Sequence, residues 1–370
     1  MKRREFLGSA AALVGATALA ACADEGTESG AAPAVHTTER VSWRLVSSFP
    51  RGLDTIYGGA EVLADRVARM SSGRFRIRPY PAGEIVPGLQ VLDAVQQGTV
   101  QLGHTASYYY TGKNPAFAFD TAVPFGLSTR QQVAWLLEGG GGELLEPLFS
   151  DFKIVRFFGG STGAQMGGWF NREIATVADI QGLKMRIPGP GGEVMSRLGA
   201  TVQILAGGDI YLALERGAID ATEWVGPYDD EKLGLHKAAK YYYYPGWWEP
   251  GPALSYYVHK PAWESLSDEF KSIFASAALD SGMVMQARYD ARNPPAMARL
   301  LASGVEWRAF SEEVMVAAER ESVALLEENA AADPSYRKIY EAWKKFRDES
   351  FAWFGSAELA YATFAFKPPR

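Results

Sequence analysis

The chain has 370 residues, 47% of them apolar, and 37 basic against 43 acidic side chains give it a formal charge of -6. That length and apolar share can bury the cores of two domains and exclude a disordered chain; the acidic balance, with no long basic block, leaves a nucleic-acid partner without electrostatic support. Ten Trp and seventeen Tyr, clustered at Tyr241 to Tyr244 and at Trp247-Trp248, either fill a core or wall a ligand pocket.

Lys2, Arg3 and Arg4 precede an apolar stretch from Gly8 to Ala21 that is too short for a permanent span, so residues 1–21 read as a signal peptide. Arg3-Arg4-Glu5-Phe6-Leu7 resembles a twin-arginine export signal, and Leu19-Ala20-Ala21-Cys22 resembles a lipobox. Cys22 is the chain's one cysteine, which suits a lipid acceptor and leaves a catalytic thiol without a resolving partner. Ordinary cleavage that leaves Cys22 discarded or free is the alternative. Residues 22–40 are small, polar and unpatterned, as in a flexible tether. No later stretch approaches eighteen uninterrupted apolar residues, so the expected membrane association of the mature protein is through lipid alone, outside the cytoplasm.

From Val41 the pattern becomes that of packed structure. Ser42 to Val46 alternates as a strand, a helix is predicted over 56–70, Arg74 to Pro79 alternates again, and a helix over 89–97 stops at Gly98 before a strand that begins at Val100. A second cycle starts near Lys153, with strands at 154–158, 166–170, 183–187 and 202–205, helices at 191–198 and 210–216, and a small strand at 218–221. Ala94 to Gln101 and Ala213 to Asp220 echo one another as helix end, glycine stop and strand entry. This strand-helix rhythm predicts an α/β fold. Beyond Ser267 long amphipathic helices are predicted at 268–292, 311–331 and 334–354.

The four histidines, at 36, 104, 236 and 259, lack metal-pair spacing, so no zinc site is expected. No nucleophile elbow, Walker loop or dinucleotide fingerprint is present, and the glycine runs at 139–142 and 188–192 read as turns. Polar residues stranded among apolar neighbours remain. Arg186 closes a predicted strand, where α/β proteins bind ligands, and its guanidinium offers parallel donors to a carboxylate; a surface salt bridge is the plainer reading. Glu223 beside Trp224, and Glu249 within Trp247-Trp248-Glu249-Pro250-Gly251, are poorly placed for a solvated face. Two buried carboxylates repel and lose hydration, which a hard cation with oxygen ligands relieves, Gln165 adding a neutral oxygen; a helix cap and an ordinary ion pair are the alternative.

These segments, above all Val177 to Gly189, Gly217 to Asp229 and Gly246 to Gly251, resemble the periplasmic solute-binding proteins of tripartite ATP-independent periplasmic (TRAP) transporters, within the branch that binds 2-oxo acids. The resemblance implies a two-lobe fold like that of periplasmic binding proteins, with a central cleft, hinge strands near 159–163 and 252–256, and long C-terminal helices. Lobe I would span 41–161 with 252–290 returning to it, lobe II 162–251 with 291–330 packed on it, and 331–370 would form a helical extension suited to a homodimer or to packing on its own lobe. It implies that Arg186 clamps the carboxylate of a small organic-acid anion such as pyruvate. A sodium ion, with calcium as the alternative, would bind the side chains of Gln165, Glu223 and Glu249 and the Trp224 carbonyl. Tyr109, in the run Tyr108 to Tyr110, would reach the ligand from the other lobe. The TRAP membrane subunits would receive the anion, and no catalysis is expected, since no histidine stands near the cluster to carry a proton. Lactate with calcium, or a metal-dependent enzyme acting on a 2-oxo acid, are the competing readings.

Overall fold

Alternating burial begins where the alternating sequence does: in β1 (Val41–Ser47) Trp43 and Leu45 are buried while Ser42 and Arg44 face out, and the strand's end is wholly buried. The computed structural model describes residues 39–366. The signal peptide, Cys22 and nearly all of the proposed tether lie outside them. Next in chain order come α1 (Ile56–Met70), β2 (Phe75–Tyr80), α2 (Val91–Gln96), β3 (Leu102–Thr105), α3 (Ala118–Thr121), α4 (Thr129–Leu137), α5 (Gly141–Asp151) and β4 (Ile154–Ser161). They are followed by β5 (Gly168–Phe170), β6 (Lys184–Arg186), α6 (Gly189–Arg197), β7 (Thr201–Gln203), α7 (Ile210–Glu215), β8 (Ala221–Thr222), α8 (Pro227–Leu233) and β9 (Tyr241–Tyr244). β10 (Ala253–His259), α9 (Lys260–Glu264), α10 (Asp268–Ala302), β11 (Glu306–Ala309), α11 (Glu312–Ala332), α12 (Pro334–Phe354) and α13 (Ala360–Ala365) complete the described chain.

The strands form two sheets, one per lobe. The first runs β2-β1-β3-β10-β4, with β1 parallel to β2 and β3 and with β10 antiparallel to β3 and β4; the second runs β11-β9-β5-β8-β6-β7. β4 precedes the second sheet's strands and β10 falls between its β9 and β11, so the chain crosses between lobes at 162–167, at 245–252 and along α10. At the first two crossings β4 and β10 pair side by side, Ser161 opposite Ala253, with a register shift between Leu254 and Ser255. α1 buries Ala60, Leu63 and Val67 against Leu45 and Phe75 of the first sheet, while α6 and α11 pack Val194, Val314 and Ala318 against Met185 and Phe170 of the second. A further core joins the lobes, with Phe49, Ile56 and Tyr108 from one meeting Ile210, Trp224 and Tyr242 from the other. The lobes therefore stand closed.

Several elements depart from the sequence reading. The predicted helix at 268–292 runs on to Ala302 through Pro294-Pro295. Each internal proline costs about 3 kcal/mol because it removes a helix hydrogen bond. Asp290, Ala291 and both prolines lie on the exposed face, so the carbonyls left without a helical partner can take water, while Ala296 and Leu300 bury the far end. The run 188–192, expected as a turn, opens α6 instead: Gly189 has φ +63, and a Cβ there would lie 2.9 Å from the Tyr108 side chain of the other lobe. Of the run 139–142, residues 139–140 turn, with Gly140 left-handed at φ +82, while Gly141 and Gly142 open α5. The sequence reading places no strand at β9 or β11; they pair with each other in parallel, Glu306 opposite Tyr241.

Helix α12 divides along its length. Tyr336, Ile339, Tyr340 and Trp343 pack into the core that holds Phe119 and Trp135 of lobe I. Beyond them Phe351, Trp353, Leu359, Tyr361, Phe364 and Phe366 are exposed, Trp353 by 67% and Phe366 by 83%.

Candidate functional site

Parallel pairing of β6 with β8 sets Arg186 opposite Thr222, which brings the next residue, Glu223, against the guanidinium. Arg186 is 1% exposed: its Nε donates to the Leu205 carbonyl at 3.1 Å, its Nη1 to the Glu223 carbonyl at 3.1 Å, and the same nitrogen is ion-paired with the Glu223 carboxylate. The guanidinium carbon lies 5.4 Å from the centre of the Trp224 ring. Two sides of the fork are thus held by protein, and Nη2 carries no conventional hydrogen bond. The parallel pair of donors expected from sequence is reduced to the Nη2 side.

Gln165 and Glu249 arrive on the two crossing segments, which bond to one another: Gln165 N–H donates to the Glu249 carbonyl at 3.2 Å, and Gly246 N–H donates to the Gln165 carbonyl at 3.0 Å. The Gln165 amide nitrogen donates to Thr162 Oγ1 at 3.1 Å. From lobe I the Tyr108 hydroxyl donates to Glu249 Oε2 at 3.3 Å, and the Tyr109 ring stands edge-on to Tyr108 at 5.0 Å. These groups surround a small cavity of about 10 Å³ whose wall includes Gln165, Arg186, Trp224, Tyr108, Tyr109 and Phe49. That is room for about one water, far below the ~300–1,000 Å³ usual for ligand sites, so a ligand enters only when the lobes part. Glu223 and Glu249 stand behind the wall, bonded to Arg186 and Tyr108.

The carboxylates carry the electrostatic strain of the enclosure. Burial raises Glu223 to about 7 against the pull of Arg186, and burial together with the charge of Glu223 pushes Glu249 well above the usual carboxylate range. Gln165 Oε1 and Glu223 Oε2 are both buried acceptors without a hydrogen-bond partner. Unpaired buried acceptors are costly, and two of them beside a second carboxylate form the oxygen-only donor set that a hard cation prefers. Among the described residues no group of three or more His, Cys, Asp or Glu side chains converges, so a cation here would need the Gln165 amide oxygen or main-chain carbonyls beside the two glutamates.

Arg186, Gln165, Glu223, Trp224, Glu249 and Tyr109 therefore come together at one cleft. Sequence reasoning missed Phe49, whose ring meets Trp224 at 6.4 Å, and the Leu205 carbonyl that orients Arg186. An isolated loop phenylalanine and a main-chain oxygen leave no pattern to read. The contact of Tyr108 with Glu249 was open only as one of three adjacent tyrosines.

The family model for bacterial extracellular solute-binding protein, family 7, matches residues 46–333. The chain belongs to this family. It is 55% identical over 365 residues to the monocarboxylate 2-oxoacid-binding periplasmic protein all3028 of Nostoc sp., with 99% of each chain covered. A TRAP transporter solute-binding protein of Bordetella bronchiseptica, solved with copurified calcium and picolinate, superposes with a TM-score of 0.88 at 46% identity over 89% of this chain and 98% of that one. The counterpart from Pseudoalteromonas atlantica, solved with sodium and pyruvate, gives 0.86 at 38% identity over 89% and 100%. The protein is thus an extracytoplasmic TRAP solute-binding protein with the two-lobe fold, and its family works in transport rather than catalysis.

Proposed function

We propose that this binding protein captures a small 2-oxo monocarboxylate, of pyruvate or 2-oxobutyrate size, together with a hard cation, and hands the anion to TRAP membrane subunits. The observation that carries this reading is that Arg186 Nη2 and the side-chain oxygens of Gln165 and Glu223 are buried without partners, Arg186 and Gln165 lining one small cavity and Glu223 bonded to Arg186 beside it. Arg186, fixed in place by Leu205 and Glu223, presents its remaining donors to the anion's carboxylate. Gln165, Glu223, Glu249 and the Trp224 carbonyl would hold the cation, which supplies positive charge to two buried glutamates and coordination positions for ligand oxygens. Tyr109 and Phe49 close the cavity from lobe I.

Sodium is the proposed ion, as with the pyruvate-bound Pseudoalteromonas relative, and calcium is the alternative, as in the Bordetella one. Lipid anchoring through Cys22 and dimerisation through the exposed end of the C-terminal helices belong to the same proposal. Calorimetry of the chelated protein with pyruvate, 2-oxobutyrate and lactate, each with sodium or calcium restored, tests it. Ion-dependent binding of 2-oxo acids is expected; binding that ignores both ions would remove the cation, and no binding of any 2-oxo acid would remove the ligand class.

A further inference from the structure

α8 carries two consecutive buried aspartates that face different partners. Asp230 is tied to its own lobe: it accepts from Trp169 Nε1 of β5 at 2.9 Å, from the Tyr242 hydroxyl of β9 at 2.6 Å, and from the N–H groups of Val225 and Gly226 at 3.2 Å each. Asp229, about 100° further round the helix, turns away from that sheet. Its Oδ1 accepts from Thr55 Oγ1 at 2.5 Å, and its Oδ2 from the Tyr289 hydroxyl of α10 at 2.6 Å. Thr55 opens α1, the helix packed on the first sheet, so this bond passes from lobe to lobe across 174 residues. All three side chains are 0% exposed.

Thr55 adds a second observation. It occupies the N-cap position of α1, where a threonine hydroxyl ordinarily satisfies the helix's first N–H groups, yet it makes no capping bond. Its hydroxyl is given to the other lobe instead. Around the buried contact Asp54 binds the Tyr228 hydroxyl at 3.1 Å, Arg292 at 2.7 Å and Lys232, so the same two helices are joined at their rim. Neither Thr55 nor Asp229 lines the ligand cavity.

We propose that Thr55 and Asp229 form a latch that sets how firmly the lobes close, making Asp229 a positioning residue for ligand retention that never touches the ligand. The inference rests on the reading that closure traps a 2-oxo acid in the cleft. Opening separates the hydroxyl from the carboxylate and admits water to Asp229, so the bond counts only in the closed form, and a hydrogen bond to a charged group alters such an equilibrium by about ten- to a hundredfold.

The test compares Thr55→Val, which keeps the shape and removes the donor, with Thr55→Ser, which keeps the donor. Pyruvate dissociation from the ion-loaded protein is followed by stopped-flow tryptophan fluorescence. Thr55→Val is expected to release pyruvate about ten- to a hundredfold faster, with association within about twofold and a smaller loss of thermal stability without ligand than with it; Thr55→Ser is expected to match the wild type. Release from Thr55→Val at the wild-type rate, or an equal loss of stability with and without ligand, overturns the latch. If the wild type binds no 2-oxo acid, the ligand reading fails separately, and small-angle scattering of the ligand-free proteins decides the latch: a more extended Thr55→Val supports it, and superimposable profiles refute it.

Discussion

Glu249→Gln separates the cost of a buried charge from its use. Two carboxylates share one guanidinium, and Arg186 is paired with Glu223, so the unbalanced charge falls on Glu249. In the unfolded chain both glutamates lose their protons near the ordinary value of 4.5. In the folded, ion-free protein burial raises both, Glu223 to about 7. Their contribution to stability is then complete below the unfolded value and is lost as pH rises through the folded one. For Glu223 alone, a rise from 4.5 to about 7 at ~1.4 kcal/mol for each pH unit is a loss on the order of 3 kcal/mol across that window, and Glu249 adds to it from the same starting pH and beyond. Glutamine mimics the protonated form. The chelated variant should therefore lose less stability than wild type between about pH 5 and pH 8, while its affinity for sodium or calcium in the presence of pyruvate falls by at least about tenfold. Asp230, raised to about 7 by burial, titrates in both proteins and cancels in the difference. Thermal unfolding across that range, chelated and ion-loaded, measures both effects. A variant with the wild-type pH slope and the wild-type response to ions would refute the reasoning.

Arg186→Ala should weaken pyruvate binding by at least about tenfold through loss of a charge-assisted donor, with Arg186→Lys intermediate because it keeps the charge and not the fork; unchanged affinity by calorimetry would remove Arg186 from the site. Trp343→Ala, in the lobe I core and distant from the cleft, should cost about 3–5 kcal/mol in denaturant unfolding and leave ligand affinity intact. Trp353→Glu, on the exposed part of α12, should convert a dimer to a monomer in light scattering after size exclusion without altering ligand affinity; an unchanged mass would place the subunit contact elsewhere.

Much of the first lobe was legible because its signals are local. Alternation in Val41–Ser47 and the apolar period of Ile56–Met70 name both the element and the face that it buries. Arg186 could be singled out because a charged residue at the end of a buried strand conflicts with its surroundings, and Glu223 and Glu249 for the same reason among tryptophans and prolines. Their common destination was reached through a family resemblance, since no spacing along the chain says that residues 165, 186, 223 and 249 converge.

Tyr241 to Tyr244 shows what local pattern withholds. Four identical side chains have no alternation, and they become a strand only because β5 and β11 offer hydrogen bonds on either side. Pro294-Pro295 is the converse, a strong local stop signal overruled where α10 is held by both lobes and its freed carbonyls reach water.

By itself, then, the sequence determined the strand-helix rhythm, the expectation of an export address and the residues whose polarity clashes with their neighbours, because these depend on groups a few positions apart. Tertiary structure alone decided that Arg186 spends two of its three nitrogens on Leu205 and Glu223, that Gln165 meets Glu249 through their backbones, and that Thr55 gives up its helix cap to reach Asp229. Each of these is a bond between segments brought together by the packing of two sheets, and its partners are chosen by that packing rather than by the local chain.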